Sequence, residues 1–252
     1  MIKKQNGLTL IELMIGMTLG LTLVAGITQI FIQLQKNFTL QRNLSDMMDD
    51  ATFILDTLTK GIYQAGYSED GKYTAFAADS NVLSSTLNFA QNEYIHGSDS
   101  EFIYRFQLSD SLDLNNFICN SPLTYNKGDV VAVRIYKDLD SSTPKVPVFY
   151  CKVKQGSIIK NAEPLVSEVE KLVFEFGIHD KTTNTFYYAN AADVANWTNV
   201  ATVKMYIVLR SADDKLTRSK VTYNVKGVTY TATDNRLYKV FSKTVYLRGA
   251  NH

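Results

Sequence analysis

Gly7-Leu8-Thr9-Leu10-Ile11-Glu12-Leu13 is the stretch on which the reading of this chain turns. Two lysines, Lys3 and Lys4, precede the glycine. From Leu8 the sequence is apolar or small for more than twenty residues, with Glu12 as its one charge. A helix rises about 1.5 Å per residue, so residues 8–34 predict a rod roughly 40 Å long, enough to cross a bilayer core. A carboxylate in such a segment costs about 2.5–3.5 kcal/mol near the bilayer centre and less near its edge. Glu12, one turn in, therefore requires a partner.

Three plainer readings compete. A cleaved secretory signal has an apolar core of about 7–15 residues and a small-x-small cleavage site. This run is longer, and Glu12 interrupts it early. A simple signal anchor accounts for the length and the basic leader but gives no role to Gly7 or Glu12. A buried helix of a soluble domain does not need so long an apolar run.

The basic leader ending in Gly7, the apolar Leu8 and the acid five residues into the remaining chain resemble the type IV prepilin signature. The resemblance implies that a membrane-embedded prepilin peptidase cuts after Gly7 and methylates the new N-terminus at Leu8. It also gives Glu12 a partner, the N-terminal amine of a neighbouring subunit. An α-amine has a pKa of about 7.7–8.0 and is largely cationic at neutral pH, so the two charges neutralise one another between chains. The family's first mature residue is usually Phe, and here it is Leu8.

The 252 residues suffice for one sizeable domain beyond the N-terminal helix. With 45% hydrophobic and 20% charged residues, the composition is that of a folded protein. Fifteen Tyr and thirteen Phe against four Pro favour strands. The net charge of +1 argues for neither nucleic acid nor an acidic partner.

Beyond Leu34 the apolar character becomes a stripe at helical spacing: Phe31, Leu34, Phe38, Leu44, Met47, Met48, Ala51, Ile54, Leu55, Leu58, Ile62. The helix is thus expected to continue to about Ala65, with Gly66 as its C-terminal cap. Gly16, Gly20 and Gly26 allow close helix contact in its first half. A turn is expected at Glu69-Asp70-Gly71 and strands over 84–89, 101–108, 129–136, 146–154, 172–178, 201–210, 219–225, 229–233 and 238–248, with a hairpin turn at Gly227. No helix-length segment separates the later strands, so the sheet is expected to be antiparallel.

Three further segments resemble the PilW type of minor pilin. One is residues 53–67, ending Ala65-Gly66-Tyr67. A second is Pro164-Leu165-Val166 with Val169, residues 172–177, Trp197 and the run from Val203 to Arg210-Ser211. The third is the tail, with Arg236-Leu237, Val240-Phe241, Thr244-Val245 and Leu247-Arg248. The resemblance covers both ends well and is only general in character over about residues 68–161.

Cys119 and Cys151 are the only cysteines. With Lys3 and Lys4 inside, they fall in an oxidising, periplasm-like compartment, where an even pair reads as a disulfide. Free thiols are the alternative. His96, His179 and His252 have no metal-ligand spacing. Asp138, Asp140 and Ser142 lack the glycine and terminal Glu of a calcium loop and read as a solvated turn. No nucleophile elbow, P-loop or dinucleotide motif occurs, so no catalytic residue, metal or cofactor is assigned. From Lys204 to Arg248 ten bases face three acids. That excess reads first as solvated strand faces and second as a surface for an acidic subunit or a polyanion, with Tyr223, Tyr230 and Tyr238 as stacking platforms.

The expected fold is α+β, a long N-terminal helix packed on an antiparallel sheet domain in the type IV pilin-like manner. Residues 1–7 are the leader, 8–65 the helix (membrane-spanning to about 34), and 66–252 a periplasmic β-rich domain. The resemblance implies a structural, non-enzymatic minor pilin, held in the inner membrane and then carried in the pilus at the cell surface, priming assembly at the tip. Its partners would be the prepilin peptidase, other minor pilins, the major pilin and a tip adhesin. A J-type pseudopilin of a type II secretion machine is the nearest rival. A DNA-binding pilin for DNA uptake is another, resting on the basic region alone.

Overall fold

The computed structural model describes residues 9–68, 76–80, 83, 87–108, 119, 126, 128–180 and 182–247. The chain divides into two compact units, Met1–Ser45 and Asp46–His252, and one helix, α1 (Leu10–Gln64), contributes to both. The first unit is helical throughout its described length from Leu10, and its large apolar side chains are exposed apart from the half-buried Leu40 and Leu44.

The second unit is built on the rest of α1 and three antiparallel sheets. Met47, Ala51, Ile54, Leu58, Ile62 and Ala65 are buried, three or four residues apart, as a single helix face requires. The stripe read from the sequence thus continues as a packed face only from Met47; Phe31, Leu34 and Phe38 are exposed. The helix ends at Gly66, whose φ of +78° suits a residue without Cβ. A Cβ there would also press on the Tyr94 ring at 3.0 Å.

The first sheet contains β1 (Ile95–Gly97), β2 (Glu101–Gln107), β3 (Val130–Leu139), β4 (Pro147–Gln155) and β5 (Ile158–Ile159) in spatial order, with β6 (Glu163–Ser167) also on β4. The second orders β12 (Tyr238–Tyr246), β9 (Val200–Arg210), β7 (Val169–Asp180) and β8 (Thr185–Ala189). The third is the hairpin β10 (Thr222–Val225) and β11 (Val228–Thr231). Every strand pair is antiparallel. Alternate residues of the strands meet the α1 face in one core: Phe102, Tyr104 and Phe106 from β2, Phe174 and Phe176 from β7, Val203, Met205, Ile207 and Leu209 from β9. Phe102 lies 5.5 Å from Phe174, ring centre to ring centre, and joins the two larger sheets.

Two small cores flank it. Leu83, Phe89, Ile103 and Ala132 form one on the opposite side of β2 and β3. In the other, Val225, Ala232 and Tyr238 cover Val208 on the outer face of β9. The hairpin turn uses Lys226 and Gly227, both at positive φ (55° and 81°), the requirement of a two-residue primed turn.

β3 and β7 run longer than their sequence patterns predict, and β1, β5, β6 and β8 have no counterpart among the expected strands. Phe89, in the segment expected at 84–89, makes a single bridge with Asp79. The rest of that expectation over 84–86, the turn at Glu69-Asp70-Gly71 and the end of the last strand at Arg248 lie outside the described residues.

Candidate functional site

Thr9 and Glu12 form a reciprocal cap at the start of α1. Thr9 N and Oγ1 both donate to Glu12 Oε2, at 3.0 and 2.9 Å, and Glu12 N donates to Thr9 Oγ1 at 3.3 Å. This is the capping box, in which a Thr and a Glu three residues apart satisfy each other's orphan amides. Sequence reasoning sought a charged partner for Glu12 and passed over Thr9, although Thr-x-x-Glu was there to be read. No cation lies within ion-pair reach of Glu12 among the described residues, so the cap supplies hydrogen bonds without neutralising the charge. Gly7, Leu8, Lys3 and Lys4 lie outside the described residues.

The first eight or so turns of α1 expose Leu10 (75%), Ile27 (64%), Phe31 (59%) and Phe38 (69%), along with nearly every large apolar side chain between them. So continuous an apolar surface marks contact with lipid or with another chain. Its polar groups are suited to hydrocarbon: Thr18, Thr22 and Thr28 each donate a hydroxyl to a helix carbonyl, at 2.7–2.9 Å. α1 is long and apolar enough to cross a membrane. A Cβ placed on Gly16, Gly20 or Gly26 would meet nothing within 4 Å, so their bare backbone is open to a neighbouring helix.

Cys119 and Cys151 are joined, with Cα atoms 5.5 Å apart, and both are buried. Cys151 sits on β4 in the main core, so the bond ties Cys119 to the sheet. A cross-link spanning 32 residues stabilises by about 3–4 kcal/mol in the chain-entropy model. Cys151→Ala is expected to lose about that much in a urea titration, and both sulfurs of the native protein should resist alkylation until reduced. Ready alkylation of the untreated protein would contradict this.

The remaining candidates are structural. Asp140 Oδ1 accepts from Ser142 Oγ (2.6 Å), Ser142 N (3.3 Å) and Val146 N (2.8 Å), closing the turn between β3 and β4. These bonds, the Ser142 hydroxyl first, hold its carboxyl below the usual range. Among the described residues no three His, Cys, Asp or Glu side chains are grouped to hold a metal.

His96 stacks on Trp197 at 4.2 Å, and its Nδ1 is buried without a hydrogen-bond partner among the described residues. Burial pushes its pKa below 6.5, against weaker opposing effects of Glu93 and a backbone hydrogen bond with Gly97. The unfolded chain then binds the proton more readily. Stability from this site is full above about pH 6.5 and declines as pH falls towards the depressed folded pKa. His96→Gln should flatten that part of the urea stability profile between pH 7 and 5. An unchanged slope would show that His96 does not cause it.

The arginines Arg210 and Arg236 of the basic segment are engaged within the fold. Arg210 Nε contacts Glu168 at 2.5 Å, and Arg236 Nε contacts Asp234 at 3.4 Å; Arg236 Nη1 donates to Ser211 O at 2.7 Å. Ser211 N donates to Leu237 O, and Leu237 N to Ser211 Oγ, so Arg210-Ser211 and Arg236-Leu237 form one clasp. The Tyr223 ring stacks on Tyr230 at 5.7 Å and on Tyr238 at 5.3 Å, which occupies faces that bases would need. Lys215, Arg218, Lys220 and Lys243 remain exposed.

Residues 138–249 match the family Type IV Pilus-assembly protein W, and residues 2–28 match the prokaryotic N-terminal methylation motif. No curated protein matches the chain. A type IV-like pilin from Thermus thermophilus is similar in structure, with a TM-score of 0.48 and 11% identity, covering 82% of this chain and 100% of that one.

Proposed function

We propose that this chain is a minor pilin of the PilW type, a membrane-anchored subunit that helps to prime a type IV pilus and is carried at its tip; the two segments just matched support that reading. Cleavage after Gly7 would leave Leu8 as a methylated N-terminus. Residues 8 to about 34 would hold the protein in the inner membrane, with the β-rich region in the periplasm, until other minor pilins and the major pilin draw it out. The observation that carries this reading is the exposed apolar half of α1. It has the length and internal hydrogen bonding for lipid, and glycines without neighbours for a second helix. Its partners thus change from lipid to protein without the helix having to refold. A structural subunit of this kind needs no catalytic group.

Mass spectrometry of the protein from its own cells tests the first step. The mature chain is expected to begin at Leu8 with one added methyl group, and Gly7→Val should leave the precursor intact because a bulkier residue blocks the cut. An unprocessed Met1, or a cut near Ala25, would overturn the reading. Deleting the chain should lower the number of pili rather than their length, since initiation is the step proposed to depend on it.

A further inference from the structure

On the outer face of the β12-β9-β7-β8 sheet, the β10–β11 hairpin covers one end and leaves an open groove of about 510 Å³ beside its turn. Lys204 rises from β9 onto this face, its ammonium 5.1 Å from the Tyr206 ring centre and 5.6 Å from that of Tyr188. Lys204 makes no ion pair among the described residues. The Tyr206 hydroxyl and the nearby Glu175 carboxylate nonetheless favour its charged form, and its pKa is raised. Lys226, at the hairpin turn, reaches across to Asn190 Oδ1 (2.5 Å) and Glu175 Oε1 (3.5 Å). Glu175 also accepts the Tyr206 hydroxyl at 2.8 Å. The one carboxylate lining the groove is thus already engaged by two donors. Tyr188 and Ser242, both exposed, also line it.

We infer that this groove receives a carboxylate side chain from a neighbouring pilin subunit. Two ammonium groups face one carboxylate, which leaves the groove with a net positive charge, so the complementary ligand is an anion that can accept hydrogen bonds from them. A peptide carboxylate fits better than an acidic sugar. A sugar ring would stack on tyrosine faces, and here Lys204 already lies over both rings. The inference rests on the proposed pilin assembly for the kind of partner, and on the groove alone for its chemistry.

The test uses the mature full-length chain in detergent micelles with fluorescein-labelled hexaglutamate as the probe, read by anisotropy at low and physiological salt. Lys204→Gln with Lys226→Gln should weaken binding about tenfold or more, as expected for losing two charge-assisted contacts. Lys215→Gln with Lys220→Gln, exposed lysines outside the groove, should change it less than about twofold. Glu175→Gln keeps an acceptor for Tyr206 and removes the competing charge, so it should tighten binding; this gain cannot arise from misfolding. No binding, equal losses in the two lysine pairs, or tighter binding of hexagalacturonate than of hexaglutamate would each overturn the inference. Binding is read on the isolated protein. A groove that binds normally in a protein whose deletion leaves pilus number unchanged would count against the proposed function and not against the groove.

Discussion

Arg105→Met is expected to destabilise the β-rich unit by about 3–5 kcal/mol, more than any other single substitution considered for it. Arg105 lies on β2 and is only 3% exposed. Its guanidinium points into the small core behind the sheet. Nε donates to Glu93 O and Nη1 to Ala77 O, both at 2.6 Å, and Nη2 donates to Ala90 O at 3.1 Å. The same group lies 4.4 Å from the centre of the Phe89 ring and 4.9 Å from that of Phe76. One side chain therefore satisfies carbonyls from a segment with little regular structure of its own, and flat apolar faces cover it.

Methionine fills much of that volume but leaves the carbonyls unpaired, at about 1–3 kcal/mol for each one that water cannot reach. Lysine should restore little, because it lacks the planar fork of donors that reaches several carbonyls at once. Burial lowers the Arg105 pKa to about 10, with Asp79 and Glu93 opposing. Since this lies below the unfolded value of 12.5, the group makes stability depend on pH only above about pH 10. The loss in Arg105→Met should accordingly be the same at pH 6 and pH 8. Urea titration checks the size, and hydrogen exchange should show residues 87–95 opening first. A change under about 1 kcal/mol would mean that water or a shift of the segment satisfies those carbonyls.

Arg105 also shows where the sequence stopped being legible. Over Glu101–Gln107 the alternation reads as an apolar face (Phe102, Tyr104, Phe106) and a mostly polar one (Glu101, Ile103, Arg105, Gln107), and an arginine on such a face is ordinarily solvated. The structure instead buries both faces of β2. Only the second core, assembled from residues distant in sequence, explains that. β1, β6 and β8 were hidden for a related reason. β1 has three residues, β6 includes Pro164, and β8 exposes Thr185, Phe186, Tyr187 and Tyr188. Their placement comes from pairing with a neighbour rather than from a burial pattern of their own.

The long helix was legible because its signals are local: a continuous apolar run, a stripe at helical period, and a glycine where φ turns positive. The basic segment was legible as charge but not as chemistry. The acids that engage it, Glu168, Glu170 and Glu175, lie upstream in β7 and the residue before it. Counting charges within a window could not reveal those pairs.

Glu12→Gln should separate the two roles this residue can play. Glutamine serves in a capping box as glutamate does, so the hydrogen bonds with Thr9 and the start of α1 should survive. Only the charge is lost. Membrane insertion and cleavage after Gly7 should therefore continue, since neither requires the acid to be ionised. Association with partner pilins should suffer, because a neighbour's N-terminal amine brought into the apolar helix bundle would have no counter-charge. That amine can shed its proton, and with a pKa of about 7.7–8.0 doing so at neutral pH costs roughly 1 kcal/mol. The total penalty should then be about 2 kcal/mol, or roughly thirtyfold in association, rather than the larger cost of stranding a permanent ion. It should shrink as pH rises past the pKa of the amine, which a loss of helix capping would not do. Glu12→Ala, which removes cap and charge together, should be worse at every pH. Co-purification with the other pilins and counts of filaments per cell measure the effect. If Glu12→Gln retains its partners and forms normal numbers of pili, then the cap with Thr9 is the whole of what this carboxylate does.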